Sequence, residues 1–165
     1  MLLSRPCTYA VRALIYLAMQ PPGKLTGSRE IAVHEDIPNS FLCKILLELR
    51  RKRLLRSYKG IGGGYELALP PDKINLLTIV QSIEGELAFT KCILEDHQCS
   101  DHCPCALHES WVELQTRFIR FFETQTLAVL VATRQAQEGK PSDVHRQLPA
   151  WADDQSNHLS IKPPT

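Results

Sequence analysis

Apolar residues crowd every side of the stretch from about 4 to 19, where Tyr9, Val11, Leu14, Ile15, Leu17, Ala18 and Met19 fall before Pro21-Pro22-Gly23. This pattern predicts a buried helix with a hard stop, because proline lacks the amide that another helical turn would need. Thr26-Gly27-Ser28 then offers a capping residue for a short helix through Arg29-Glu30-Ile31-Ala32-Val33, closed by Asp36-Ile37-Pro38. A third helix follows, with Asn39 or Ser40 as its cap and Phe41, Ile45, Leu46 and Leu49 at helical spacing as its buried face. Ser40, Cys43 and Lys44 therefore point the other way. Two short helices joined by a tight turn predict a helix-turn-helix.

Beyond it, Leu54 to Tyr58 and Gly64 to Leu69 read as strands flanking the tip Lys59-Gly60-Ile61-Gly62-Gly63-Gly64, a β-hairpin wing whose glycines permit positive φ and close approach to another surface. Thr78 to Ile83 predicts a short helix stopped by Gly85. From about His102 to Arg134 the residues Leu107, Trp111, Leu114, Phe118 and Phe121 recur at spacings of four and three, a seam that asks for a partner helix and predicts pairing with a second copy. From about Gly139 onward the chain is polar and aperiodic, as a tail would be. The expected fold is mainly α, a winged helix-turn-helix DNA-binding domain with a β-hairpin wing and a long C-terminal dimerisation helix. Its expected divisions are 1–84 (winged domain), 85–106 (cysteine-rich loop), 107–136 (dimerisation helix) and 137–165 (tail).

Charge sharpens this reading. The net charge of +1 is unremarkable, but Arg50-Arg51-Lys52-Arg53, Arg56 and Lys59 concentrate cations between the third helix and the wing tip. With Ser40, Cys43 and Lys44 on the outward helix face, Arg50, Arg51, Arg53, Tyr58 and Lys59 with the glycines Gly62 and Gly63 form the expected contact set for double-stranded DNA. Lys44 is the leading base or phosphate contact, and Tyr58 with the glycine tip is placed for the adjacent minor groove. No apolar run approaches the roughly 20 residues of a membrane span. Arg12 interrupts the apolar start, against a secretory signal, so the protein is expected in the cytoplasm.

In a reducing compartment clustered cysteines point to metal or redox chemistry rather than disulfides. Cys92, Cys99, Cys103, Cys105 and His108 lie within seventeen residues, amid polar neighbours such as Glu95, Asp96, His97 and Asp101 that make a packing role a poor explanation. Thiolates with imidazole suit zinc and iron–sulfur clusters alike, but zinc favours paired C-x2-C knuckles and none is present. Cys92, Cys99 and Cys105 are the favoured ligands; Cys103, across Pro104 from Cys105, is a substitute. Cys7 reads as packing in the first helix.

Tyr9-Ala10-Val11-Arg12-Ala13-Leu14, Ser40-Phe41-Leu42 with Leu46, the wing Lys59-Gly60-Ile61-Gly62-Gly63-Gly64-Tyr65 and the cysteine loop together resemble the Rrf2 family of bacterial transcription regulators, with its IscR-, NsrR- and RirA-like members. The resemblance covers residues 1 to about 134. It implies a winged-helix homodimer with a cluster near the dimer interface held by three cysteines in a C-x(5 to 7)-C-x5-C arrangement, which Cys92, Cys99 and Cys105 match. It also implies His108 as a fourth ligand of a [2Fe–2S] cluster, with [4Fe–4S] as the alternative. The stretch Pro6-Cys7-Thr8-Tyr9 lacks the carboxylate that nitric-oxide-sensing members use, although Cys7 could substitute across the dimer. Cys103 and Cys43 depart from the family pattern, the latter standing where a glutamate linked to operator choice is common.

The function expected is a DNA-binding regulator, repression being the family's commoner habit, that reads a palindromic operator and senses iron, redox or nitrosative status through an iron–sulfur cluster. The same fold using zinc or thiol oxidation is the alternative. An iron–sulfur redox protein ranks below both, because Gly60 to Gly64 lies in a hairpin and not between a strand and a helix, as a nucleotide fingerprint would. The chain is not expected to be an enzyme.

Overall fold

Helix α1 (Arg5–Ala18) threads the middle of the fold, and its start follows from sequence. The Ser4 hydroxyl accepts the Cys7 amide at 3.3 Å and Pro6 sits in the first turn, where its missing amide costs nothing. The structure, a computed structural model, describes residues 3–85, 91–92, 94 and 105–138. Against α1 pack α2 (Ser28–His34) and α3 (Asn39–Arg51), followed by the antiparallel strands β1 (Leu55–Tyr58) and β2 (Gly64–Leu67). A 3-10 turn (Pro71–Lys73) leads to α4 (Leu76–Glu84), whose cap Asn75 accepts the Thr78 amide at 2.9 Å. Helices α5 (His108–Thr124) and α6 (Leu127–Glu138) complete the described chain. The mainly helical winged architecture is thus as expected.

Leu14, Leu17, Ile31, Leu42, Leu46, Leu49, Leu54, Ile74 and Ile79 form one buried core. Burying a leucine or isoleucine contributes about 1.5–3 kcal/mol, so this core dominates the stability of so small a domain.

Four local expectations are corrected. Phe41, whose spacing predicts the buried face of α3, is 41% exposed and meets Tyr9 edge-on at 6.0 Å. Leu42, one residue on, completes the i, i+3, i+4, i+7 set with Ile45, Leu46 and Leu49, which turns Phe41 to the rim. Thr26-Gly27-Ser28 supplies no side-chain cap to α2, whose cap position is Gly27; Thr26 is engaged elsewhere. It pairs with the wing, the Tyr65 amide donating to its carbonyl at 2.9 Å and its own amide to the Tyr65 carbonyl at 3.1 Å. Neither Asn39 nor Ser40 caps α3, since the chain enters the helix through Pro38, whose carbonyl accepts the amides of Phe41 and Leu42.

The helical stretch expected to run unbroken to Arg134 is divided at Gln125-Thr126. There the chain opens into an extended link that pairs with the segment before α4, the Leu76 amide donating to Gln125 and the Leu127 amide to Ile74, each at 2.8 Å. Leu127 is fully buried in the main core, so α6 folds back onto α1 instead of prolonging α5. The aromatic seam divides as well. Phe118 packs beside Phe122, a buried residue of a second small core with Cys7 and Val80, while Leu107, Leu114 and Phe121, seven apart, remain exposed. The tail from Gly139 lies outside the described residues.

Candidate nucleic-acid interface and thiol site

The outward face of α3 carries Ser40 and Lys44 exposed and Cys43 half-buried, its thiol 3.9 Å from the Asn39 side-chain oxygen. At the far end of α3 the Arg53 amide donates to the Arg50 carbonyl at 3.0 Å and the Leu54 amide to the Leu49 carbonyl at 2.9 Å. This is the paired closure that usually ends on glycine, yet Arg53 occupies the left-handed position at φ 61°. A side chain there costs about 1–2 kcal/mol. Arg50 reaches across to the Ser57 hydroxyl at 3.3 Å, tying the helix end to β1.

The register of the wing, Arg56 opposite Glu66 and Tyr58 opposite Gly64, puts Arg56, Tyr58 and Glu66 on one face. Tyr58 donates its hydroxyl to Glu66 at 2.7 Å, and that bond holds the phenol above its usual pKa. Its hydroxyl is therefore committed within the hairpin, while the residue as a whole is 47% exposed. Arg51 pairs with Glu48 and Arg56 with Glu66. Among the described residues Lys44, Arg50, Lys52, Arg53 and Lys59 have no carboxylate partner. The result is a strip of uncompensated positive charge from α3 to the wing tip. The wing is seated by sterics: a Cβ on Gly64 would lie 2.7 Å from the Thr26 carbonyl oxygen, and one on Gly63 would lie 2.3 Å from that of Tyr58.

One group behind this face escaped sequence reasoning. Glu35, at the C-terminal end of α2, has a side chain only 3% exposed. Arg134 of α6 donates to it at 2.8 Å, the Arg12 Nε at 3.2 Å, and His34 Nδ1 lies 3.1 Å away. Arg12 also donates to the Glu35 main-chain carbonyl. The turn of the helix-turn-helix is thereby fastened to α1 and α6 together. An acid between apolar Ile31-Ala32 and Ile37 was the one available signal.

Of the proposed ligands, Cys92 and Cys105 are half-buried and His108, the first residue of α5, is buried, its amide donating to the Cys105 carbonyl at 3.0 Å. Trp111 Nε1 and Gln115 Nε2 both donate to the Lys91 carbonyl, at 2.8 and 3.1 Å, which holds the residue before Cys92 against the first turns of α5. Cys99 and Cys103 lie outside the described residues, and among the described residues no three His, Cys, Asp or Glu side chains, Cys92, Cys105 and His108 included, form a group that could hold a metal ion. Lys91, next to Cys92, is nevertheless held against α5, and Cys105 and His108 stand at the start of that helix; two thiols and an imidazole are a donor chemistry that fits iron–sulfur or zinc. Cys7 is fully buried, and desolvation, then Glu84 beside it, pushes its thiol up to about 12. It is a neutral packing group in this arrangement.

Residues 3–133 match the family model Rrf2, described as an iron-dependent transcriptional regulator. A protein of Aquifex aeolicus named as an HTH-type transcriptional regulator is 35% identical over 133 residues, 79% of this chain and 92% of its own. The HTH-type transcriptional regulator NsrR of Halalkalibacterium halodurans is 33% identical over 124 residues, 74% of this chain and 85% of its own. Among solved structures, CymR (YrzC), the global cysteine regulator of B. subtilis, superposes with a TM-score of 0.69 at 25% identity, covering 81% of this chain and 98% of that one. IscR of T. potens shares the fold with a TM-score of 0.66 at 22% identity, over 86% and 94% of the two chains.

Proposed function

This chain belongs to the Rrf2 family of DNA-binding, non-enzymatic transcriptional regulators, and we propose that it reads a palindromic operator as a homodimer under the control of an iron–sulfur cluster at the start of α5. The observation that carries the DNA contact is the strip of unpaired cations running from Lys44 through Arg50 and Arg53 to Lys59 beside an exposed helix face. Ser40, Cys43 and Lys44 face the major groove. Arg50, Arg51, Arg53 and Lys59 neutralise phosphate, and Tyr58, Gly62 and Gly63 approach the minor groove. Leu114 and Phe121 on α5, with Leu107 just before it, are exposed at heptad spacing and supply the face for a second copy. No described helix is long and apolar enough to cross a membrane.

Arg53 provides a test in which stability and binding move in opposite directions. Arg53→Gly relieves the left-handed strain and should stabilise the fold by about 0.5–1 kcal/mol, after allowing for glycine's greater freedom in the unfolded chain. Its salt dependence of binding to generic duplex DNA should fall by about 0.9 in log–log slope, the share of one phosphate. An unchanged slope would remove Arg53 from the interface.

The ligands of the cluster are Cys92, Cys99, Cys105 and His108, with Cys103 as substitute. Bound there, a cluster supplies an iron- and redox-dependent bond between the cysteine segment and α5. The chain's own contribution is to hold the residue before Cys92 against α5, through the grip of Trp111 and Gln115 on Lys91, and to keep His108 buried. Iron and sulfide content and the visible spectrum of anaerobically purified protein test this. About two irons and two sulfides per chain support a [2Fe–2S] cluster, and about four of each the cubane. Zinc, or no metal, overturns cluster control and leaves zinc-dependent or thiol-based sensing on the same fold.

A further inference from the structure

Among the described residues the most exposed large apolar side chain is Ile61, at the tip of the wing, with a relative exposure of 111%. It does not hang from a loose loop. The Gly63 amide donates to the Gly60 carbonyl at 3.0 Å, closing a four-residue turn, and Gly62 takes φ 79° at the third position. Glycine at that position and a side chain at the second are the arrangement of a type II turn, whose second residue stands at the outer corner. Gly60, at φ 98°, bends the chain into the turn, and the close approach of Gly63 to Tyr58 leaves the hairpin backbone little room to shift. A fixed, bare turn thus presents one isoleucine beside the exposed cation of Lys59.

Leaving an isoleucine wholly in water is unfavourable in the free protein, and nothing in the turn requires a branched apolar residue at its second position. Glycine neighbours keep the tip slim enough to enter a groove about 6 Å wide. The floor of that groove differs between base pairs in one respect. A·T pairs offer only acceptors, whereas a G·C pair adds the protruding N2 amino donor of guanine. An aliphatic side chain packs against the smooth A·T floor but meets the amino group with bulk and with no acceptor, leaving a buried donor unsatisfied.

We propose that Ile61 is a specificity residue of the wing, favouring A·T over G·C pairs where the tip enters the minor groove. The inference rests on the DNA-binding reading above and adds a base preference that phosphate-binding cations cannot supply, since they are indifferent to sequence.

The test uses the full-length protein and a randomised duplex library, selected in parallel with wild type, Ile61→Ser and Ile61→Val. Wild type and Ile61→Val should enrich A·T pairs at the positions flanking the major-groove motif. Ile61→Ser should recover the same central motif with the flanking preference flattened. A chosen duplex then isolates the single amino group: replacing the flanking G·C by inosine·C should strengthen wild-type binding about tenfold, within the usual range for one unfavourable base pair, and Ile61→Ser binding by less than about twofold. A flanking preference that survives in Ile61→Ser, or one that wild type never shows, overturns the proposal. Failure of wild type to select any motif is a separate result, which overturns the DNA-binding reading and this inference with it. Ile61 touches no core residue, so an altered preference cannot be ascribed to unfolding.

Discussion

Replacing Glu35 by alanine should lower the stability of the fold by about 2–3 kcal/mol, measured as a shift of the urea midpoint at unchanged slope. Removing one member of a fully buried pair costs about 3–5 kcal/mol, because the partner charge is left without water or counter-charge. Arg12 and Arg134 keep 38% and 27% of their side chains in solvent, so they can recover part of their hydration and the lower figure applies. Glu35→Gln, which keeps hydrogen-bonding oxygen but not charge, should fall about midway. The same variants should loosen α6, because the Arg134 contact spans 99 residues of sequence and joins the last described helix to the turn of the helix-turn-helix. Faster amide exchange in α6 at urea concentrations far below the midpoint would report it. A midpoint shift worth less than about 0.5 kcal/mol, the scale of an exposed pair, would show the network to be a surface decoration.

Gly64→Ala is the second large effect, and it should separate the wing from the body of the protein. An added Cβ would lie 2.7 to 2.9 Å from the carbonyl oxygen, carbonyl carbon and amide nitrogen of Thr26, all backbone atoms that cannot swing aside. Relief requires the two main-chain hydrogen bonds between Thr26 and Tyr65 to lengthen or break. Overpacking costs about 1–3 kcal/mol and each bond lost about 1 kcal/mol more, so a loss of about 3 kcal/mol is expected. Far-ultraviolet helicity should persist, since the core of α1 and α3 is untouched. On the proposed binding mode, affinity for DNA should fall by at least tenfold, because a displaced wing would lose its minor-groove contact while α3 kept the major groove. Wild-type affinity together with a wild-type melting curve would refute this account of how the wing is seated.

Much of the helix-turn-helix and its wing was legible because their signals are local. The pause at Asp36-Ile37-Pro38, the period of Ile45, Leu46 and Leu49, and the glycines between two short strands each act over a few residues, so helix, turn and hairpin could be placed nearly to their ends. The thiol site was legible as a composition, five donors close together, yet Cys92, Cys105 and His108, the described members, do not form a metal-holding group, and the ligand set is left to be tested by metal analysis. Phe41 misled because helical spacing is satisfied almost equally by neighbouring residues, and only the fit against Tyr9 and the core chose Leu42 instead.

The sequence by itself determined the kinds of element, their order, the basic strip and the clustering of thiols, since propensity, period and charge belong to the chain before it folds. The tertiary structure alone decided that α5 and α6 part at Gln125-Thr126, because the pairing of that link with Ile74 and Leu76, and the burial of Leu127, come from another region of the chain. It alone decided that Glu35 meets Arg12 and Arg134, that Arg53 bears a strained backbone, and that Ile61 stands bare at the corner of a fixed turn. The Glu35 contacts depend on which distant surfaces exclude water together, where residues remote in sequence become neighbours, whereas Arg53 and Ile61 are set by local hydrogen-bonded closures that composition and period do not fix.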